Sequence, residues 1–173
     1  MAVTTIDGQS TTWIDLGEDK DIYLARVNWR DENRLTYQWQ NRAQTRLELR
    51  EFDLNNNSQQ LLLAEESDTW INLDANIQFV DEGRRFIWAS ERSGFNHLYL
   101  YEGNGELVRQ LTDGEWIVDG LEAVDLDNDV FYFTGRKDSV IERHLYKAQL
   151  SDPTQVVRLS QRDGMHSVSF SDD

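Results

Sequence analysis

The sequence of 173 residues has no cysteine, a single proline and only three histidines. Without cysteine, disulfides, thiolate metal sites and a cysteine nucleophile are excluded, while the redox compartment stays open. Basic residues are few, 17 against 32 acidic ones, and the formal charge of −15 argues against phosphate backbones and anionic membrane surfaces as partners. An acidic surface of this kind serves mainly solubility. No apolar run approaches the ~18 residues of a spanning helix. The opening MAVTTIDGQSTTW has neither a basic nor an apolar signal region, so no membrane segment or nucleic-acid partner is expected and the chain is expected to be soluble as it stands. What the chain does have is rings: six Trp, six Tyr and seven Phe in a 39% hydrophobic sequence, a bias toward strands packed on a core.

Compared with itself, the chain repeats a unit of strand, hairpin, strand, turn and strand three times. The first copy holds Arg34 to Trp39, Leu47 to Phe52 and Leu61 to Leu63. The second holds Arg85 to Ser90, His97 to Tyr101 and Leu107 to Leu111, and the third holds Val130 to Thr134, His144 to Lys147 and Val156 to Leu159. Leu47 and Leu98 are 51 residues apart, Leu98 and Leu145 are 47 apart, and Trp70-Ile71 recurs as Trp116-Ile117 after 46. That is the period of a four-stranded propeller blade, with Tyr23 to Asn28, Ile77 to Val80 and Leu121 to Val124 supplying the fourth strands. Asp81-Glu82-Gly83, Arg92-Ser93-Gly94, Gly103-Asn104-Gly105 and Asp127-Asn128-Asp129 carry turn chemistry where hairpins must reverse.

The fold expected is therefore all-β, a partial β-propeller of three four-stranded antiparallel blades. It comprises a lead-in over 1–19, blades over 20–66, 67–115 and 116–164, and the start of a next blade over 165–173. A β-sandwich is the alternative, disfavoured because sandwich strands need not repeat one another. The alternation in Leu47-Glu48-Leu49-Arg50 predicts one apolar face and one charged, wet face. Ser139 to Leu150 contains fair helix formers, yet its alignment with His97 to Tyr101 predicts a strand.

No catalytic constellation is visible and no cofactor is implied. His97 and His144 occupy one place in successive repeats, which predicts packing or hydrogen-bonding roles, and no Gly-x-Ser-x-Gly elbow sets up a serine. Asp125, Asp127 and Asp129 begin like a calcium loop, but Val130 replaces its glycine and Arg136 its last glutamate, so a hairpin turn is expected instead. Glu65-Glu66 reads as a solvated acidic connection, since successive strand residues point to opposite faces. No two carboxylates can be set opposite each other from sequence, so an independent acid-pair hydrolase has no support.

The stretch FIWASERSGFNHLYLYE, Phe86 to Glu102, resembles the propeller of dipeptidyl peptidase IV and its relatives in the prolyl oligopeptidase group of serine peptidases. The likeness continues through Arg34 to Leu54, Arg109 to Asp125, Val130 to Leu150 and His166 to Asp173, and covers roughly Lys20 onward. In that group an N-terminal propeller covers an α/β-hydrolase domain with a Ser-Asp-His triad, and the enzyme removes Xaa-Pro or Xaa-Ala dipeptides.

The resemblance implies a non-catalytic propeller segment that helps to gate and bind peptide substrate. Its implied partners are the remaining blades and the hydrolase domain of a parent chain, and its implied location is periplasmic or secreted. The family's amine-binding glutamate pair lies upstream of the matched region, and Glu65-Glu66 does not match it. A substrate-facing loop corresponds to Trp70, Asn72, Asp74 and Asn76, although the Phe-Arg pair of some relatives is absent. Uncovered strand edges imply self-association into a homo-oligomer. The competing reading is a propeller-type interaction module with no peptidase attached.

Overall fold

A computed structural model describes residues 1–73 and 77–171. The described residues form fourteen strands and no helix. The chain divides into two compact units, Met1–Leu73 and Asp74–Asp173.

The first unit opens with a hairpin of β1 (Ala2–Thr4) and β2 (Thr11–Trp13), a pair that the sequence reading left without structure. A meander of β3 (Ile22–Trp29), β4 (Arg34–Asn41), β5 (Arg46–Asp53) and β6 (Ser58–Glu66) follows, in the order β3-β4-β5-β6. The hairpin belongs to the core of this unit: Ile14, Leu35, Tyr37 and Phe52 are buried together, with Val3 and Leu16 packed on them. Chain ends are tied down only by such contacts, and here Ile14 donates its amide to the Met1 carbonyl at 2.8 Å while Gln59 donates to Asp15 at 3.0 Å.

The expected wet face of β5 is corrected by the structure. On that face Glu48 is only 6% exposed, and on the opposite face Glu51 is only 3% exposed. Glu51 pairs with Arg30 at 2.5 Å, and Glu48 lies between Arg46 at 2.7 Å and Arg50 at 2.5 Å. Buried carboxylates persist only when paired and hydrogen-bonded. Alternating opposite charges provide that pairing, and Arg50 also covers the ring of Trp39 at 4.9 Å.

The second unit holds two meanders. One is β7 (Gln78–Val80), β8 (Arg85–Ser90), β9 (His97–Glu102) and β10 (Leu107–Gln110); the other is β11 (Val118–Asp125), β12 (Val130–Gly135), β13 (His144–Gln149) and β14 (Val157–Arg158). Of the stretch Ser139 to Leu150, expected as a strand, β13 takes His144–Gln149, paired with β12 through Phe133 opposite Tyr146, and the residues before it form a turn. Ile87, Leu98, Leu100 and Leu111 of the first sheet and Val118, Phe131, Phe133, Tyr146, Ala148 and Leu150 of the second form one buried cluster. Phe131 and Phe133 are fully buried with ring centroids 5.5 Å apart. Truncating either to Ala would cost about 3–5 kcal/mol.

The hairpins use the turn residues that their geometry demands. Between β7 and β8 the backbone passes through φ of 57° at Asp81, 55° at Glu82 and 80° at Gly83, the left-handed region needed for a tight reversal. Each sheet is a consecutive antiparallel meander, the blade architecture expected, and none has the long return connection of a sandwich.

Candidate functional site

In each sheet the connections fall at two ends; the end from which β5 starts bears the exposed Trp70, and the end from which β9 and β13 start bears exposed apolar tips. In the second unit this end is made of segments 91–96, 111–117, 136–143 and 159–166. The order of the strands brings these together, because β9 leaves beside Ser90 and β13 beside Gly135. Val140 and Ile141 are each 80% exposed there, with Phe95 and Met165 also exposed.

Beneath that surface the two repeated histidines are structural. His97 is buried, with Nδ1 3.0 Å from the Thr112 hydroxyl and Nε2 2.9 Å from the Gly114 carbonyl. His144 is buried too, with Nδ1 2.9 Å from the Ser160 hydroxyl and Nε2 3.1 Å from Glu142. The same hydroxyls accept the amides of Leu98 and Leu145. One device thus closes both sheets at the same place, and it uses both nitrogens of each ring. His166 lies 5.2 Å from His144 with the rings tilted by 33°, and turns its Nε2 to the Arg162 carbonyl.

Trp116 caps this device, with His97 edge-on at 5.1 Å and Phe133 at 5.9 Å. Its place requires glycine at 135, where a Cβ would sit 2.8 Å from the Ile117 carbonyl and 3.3 Å from the Trp116 ring. Trp70 does not repeat this role. The amide of Ile71 bonds to Gln44 at 2.9 Å as that of Val118 bonds to Asn96 at 2.9 Å, so Ile71 matches Val118 and the Trp-Ile repeat is one residue out of structural register.

Trp70 instead projects outward and is 55% exposed. Ser67 accepts the amides of Thr69 and Trp70, each at 3.2 Å, and the Trp70 indole donates to Asn72 at 3.1 Å. Ile71, buried, anchors the loop through its backbone, so the indole is held against water by a fixed base. Asn41, Thr45, Arg46, Glu66, Ser67 and Asp68 line an open concavity of about 440 Å³ at the same end. Of the four residues expected in a substrate-facing loop, the structure brings Trp70 and Asn72 together; Asp74 and Asn76 lie outside the described residues.

The charged groups here are ion-paired rather than poised for chemistry. Burial alone would raise the Glu48 carboxyl, but the Arg46 and Arg50 guanidiniums outweigh it and hold Glu48 below its ordinary range, while Glu48 raises Arg46. Glu66 pairs with Arg46 on β6, the strand that also carries Glu65. Asp125 accepts the backbone and side-chain amides of Asn128 at 3.0 and 2.8 Å, and Asp129 takes the hydroxyl of Ser151, so both serve turns. No group of three His, Asp or Glu able to hold a metal occurs among the described residues. A second cavity, about 120 Å³ between the two sheets of the second unit, is lined by Gln78, Asn96 and Asp119 among apolar groups, and suits a few waters rather than a peptide.

Three consecutive four-stranded antiparallel meanders define a segment of a β-propeller. The chain belongs to the family of the dipeptidyl peptidase IV (DPP IV) N-terminal region, whose model matches residues 1–173. It is 31% identical over 166 residues to dipeptidyl peptidase 4 of Felis catus, covering 87% of this chain and 22% of that protein. It is 32% identical over 142 residues to dipeptidyl peptidase 8 of Mus musculus, covering 64% of this chain and 16% of that one. The crystal structure of Porphyromonas gingivalis dipeptidyl peptidase 4 superposes with a TM-score of 0.86 over 95% of this chain and 23% of its own, at 24% identity. The chain thus spans about a fifth of the length of the dipeptidyl peptidases that it resembles.

Proposed function

We propose that this chain is a non-catalytic propeller segment of a dipeptidyl peptidase IV-like serine exopeptidase, one that removes Xaa-Pro or Xaa-Ala dipeptides, and that it helps to gate and bind the peptide. The observation that carries this reading is the match of the whole chain to the family's N-terminal region. The geometry supports the non-catalytic part: the ring nitrogens of His97 and His144 are committed to hydroxyls, a carbonyl and a carboxylate, so neither is poised as a base for a serine. The fixed, exposed indole of Trp70 suits an apolar side chain of a passing peptide, and the apolar tips at Val140 and Ile141 suit contact with a following hydrolase domain. A periplasmic or secreted location accompanies this reading.

Those same exposed tips would also serve a propeller-type interaction module with no peptidase. Hydrolysis of a glycyl-prolyl chromogenic substrate, by this chain beside its full-length parent, separates the two. Activity in the parent alone is expected. Activity in neither favours the interaction module, and activity in the 173-residue chain itself overturns the assignment.

A further inference from the structure

The hairpin between β9 and β10 carries a dipeptide whose chemistry plays no part in the peptidase reading. Asn104-Gly105 is the single Asn-Gly pair in the sequence; every other asparagine precedes a residue that has a side chain. The pair suits a tight reversal, and it also sets a side-chain amide carbon beside a backbone nitrogen that no Cβ shields. Asn104 is exposed. Its Oδ1 accepts the amide of Glu106 at 3.0 Å, which folds the side chain back along the main chain past Gly105 and polarises its carbonyl toward attack. Gly105 has a φ of 90°, and its amide donates to the Glu102 carbonyl at 2.9 Å. That bond lies in an exposed hairpin turn, where local opening requires the least free energy.

We propose that Asn104 is a site of spontaneous deamidation in the folded chain. The reaction requires water alone, and neither an enzyme nor a particular compartment. The Gly105 nitrogen gives up its proton to solvent and forms a bond to Cγ of Asn104. The bond from Cγ to Nδ2 then breaks, and Nδ2 leaves as ammonia with the electron pair and a proton taken from solvent. Water opens the resulting succinimide at one of its two carbonyls, to isoaspartate or to aspartate, with no change in oxidation state.

The position of the turn makes the change tolerable to the fold. β9 runs from His97 to Glu102, which puts the turn at the end of the sheet opposite the His97 bracket. β10 ends its sheet and pairs with β9 alone. Isoaspartate adds a methylene to the main chain and a carboxylate between Glu102 and Glu106, so the pairing of β10 shifts. Leu98 and Leu100 keep their places in the core and their partners Ala89 and Ile87 in β8.

The test is incubation of the folded 173-residue chain in buffers from mildly acidic to mildly alkaline, beside a sample in urea and a zero-time control, followed by trypsin and mass spectrometry. One tryptic peptide, Ser93 to Arg109, holds both Asn104 and Asn96. Asn96 is the internal reference, because it precedes His97 and donates its Nδ2 to the Val118 carbonyl at 2.9 Å. A gain of about 1 Da, an amide exchanged for an acid, is expected at Asn104. It should appear at least several-fold faster than at Asn96, accelerate several-fold toward alkaline buffer, and leave a product that accepts a methyl group from a protein isoaspartyl methyltransferase. Asn104→Gln, whose longer side chain closes its ring far more slowly, should lose both signals. Modification of Asn104 no faster than of Asn96 in the folded chain overturns the proposal, as does modification confined to the urea sample or a gain in this peptide that survives Asn104→Gln. The comparison with Asn96 is made within the wild type, so it stands whether or not the variant folds.

Discussion

The Tyr146 hydroxyl donates to the Asp138 carboxylate at 3.1 Å from a side chain that is only 1% exposed. Burial first, and then the hydrogen bond and negative charge of Asp138, push the phenol up to about 12 from its ordinary value of 10.0. A proton held more tightly in the folded chain adds stability below the unfolded value and withdraws it as pH rises toward the folded one. Thermal stability is therefore expected to fall between pH 10 and about 12, and Tyr146→Phe to flatten that fall while costing about 1 kcal/mol at neutral pH for the lost hydrogen bond. Melting temperatures of both proteins across that range check it; equal slopes would contradict it.

Glu48 gives the opposite sign at the acid end. Its carboxyl is held below 4.5 because Arg46 and Arg50 outweigh the cost of burial, so it binds its proton less readily in the folded chain than in the unfolded one. Its contribution is present above pH 4.5 and disappears as pH falls through the lowered value. Glu48→Gln is expected to destabilise by about 2 kcal/mol at pH 7, since it leaves two guanidiniums short of a partner. The difference from wild type should narrow below pH 4.5, read as urea midpoints at pH 7, 5 and 3.5. A difference independent of pH would assign the loss to packing.

The hydroxyl of Thr112 accepts the amide of Leu98 and lies 3.0 Å from His97 Nδ1, while Nε2 of the same ring faces the Gly114 carbonyl at 2.9 Å, a group that can only accept. Thr112→Val keeps the shape and strands two buried groups, at a cost of about 2–4 kcal/mol. Thr112→Ser retains both bonds and should lie within about 1 kcal/mol of wild type. Chemical denaturation of both variants reads the difference, and a Thr112→Val protein as stable as Thr112→Ser would show that the bracket is not used.

Much of this is legible in the sequence, because a repeat is evident wherever each copy solves the same packing problem. Leu47, Leu98 and Leu145 recur since each opens the third strand of a blade, and His97 and His144 recur since each closes one. The charged face of β5 was misread because alternation reports which residues share a face and not whether opposite charges on that face bury one another, as Glu48 and Arg50 do. The β1–β2 hairpin was missed for a related reason: its strands have three residues each and are held by the core around Ile14 rather than by a pattern of their own. Trp70 and Trp116 share a sequence word but not a structural place, since the hydrogen bond that sets register belongs to the buried residue and not to the indole. Trp70 and Asn72 were anticipated from a resemblance alone; the signal for their geometry, a serine three residues ahead of Trp70 able to accept its amide, was present at Ser67.

Strand edges give the last prediction. β3 and β6 end their sheet, and both present apolar side chains: Leu24, Val27 and Trp29 on one, Leu61 on the other, between 39% and 54% exposed. Open edges with apolar residues are templates for pairing with another chain, and lysine on an edge strand opposes it. The isolated chain is therefore expected to self-associate at micromolar concentration in sedimentation velocity, despite a formal charge of −15 that would hold copies apart at low salt. Added salt screens that repulsion and should strengthen association, whereas Val27→Lys with Leu61→Lys should weaken it at least several-fold. Because both positions are exposed, the double variant is expected to keep its melting temperature, which distinguishes loss of an interface from loss of the fold. A monomeric wild type at micromolar concentration and high salt would mean that the twist of β3 and β6, or their flanking charges, already protects these edges.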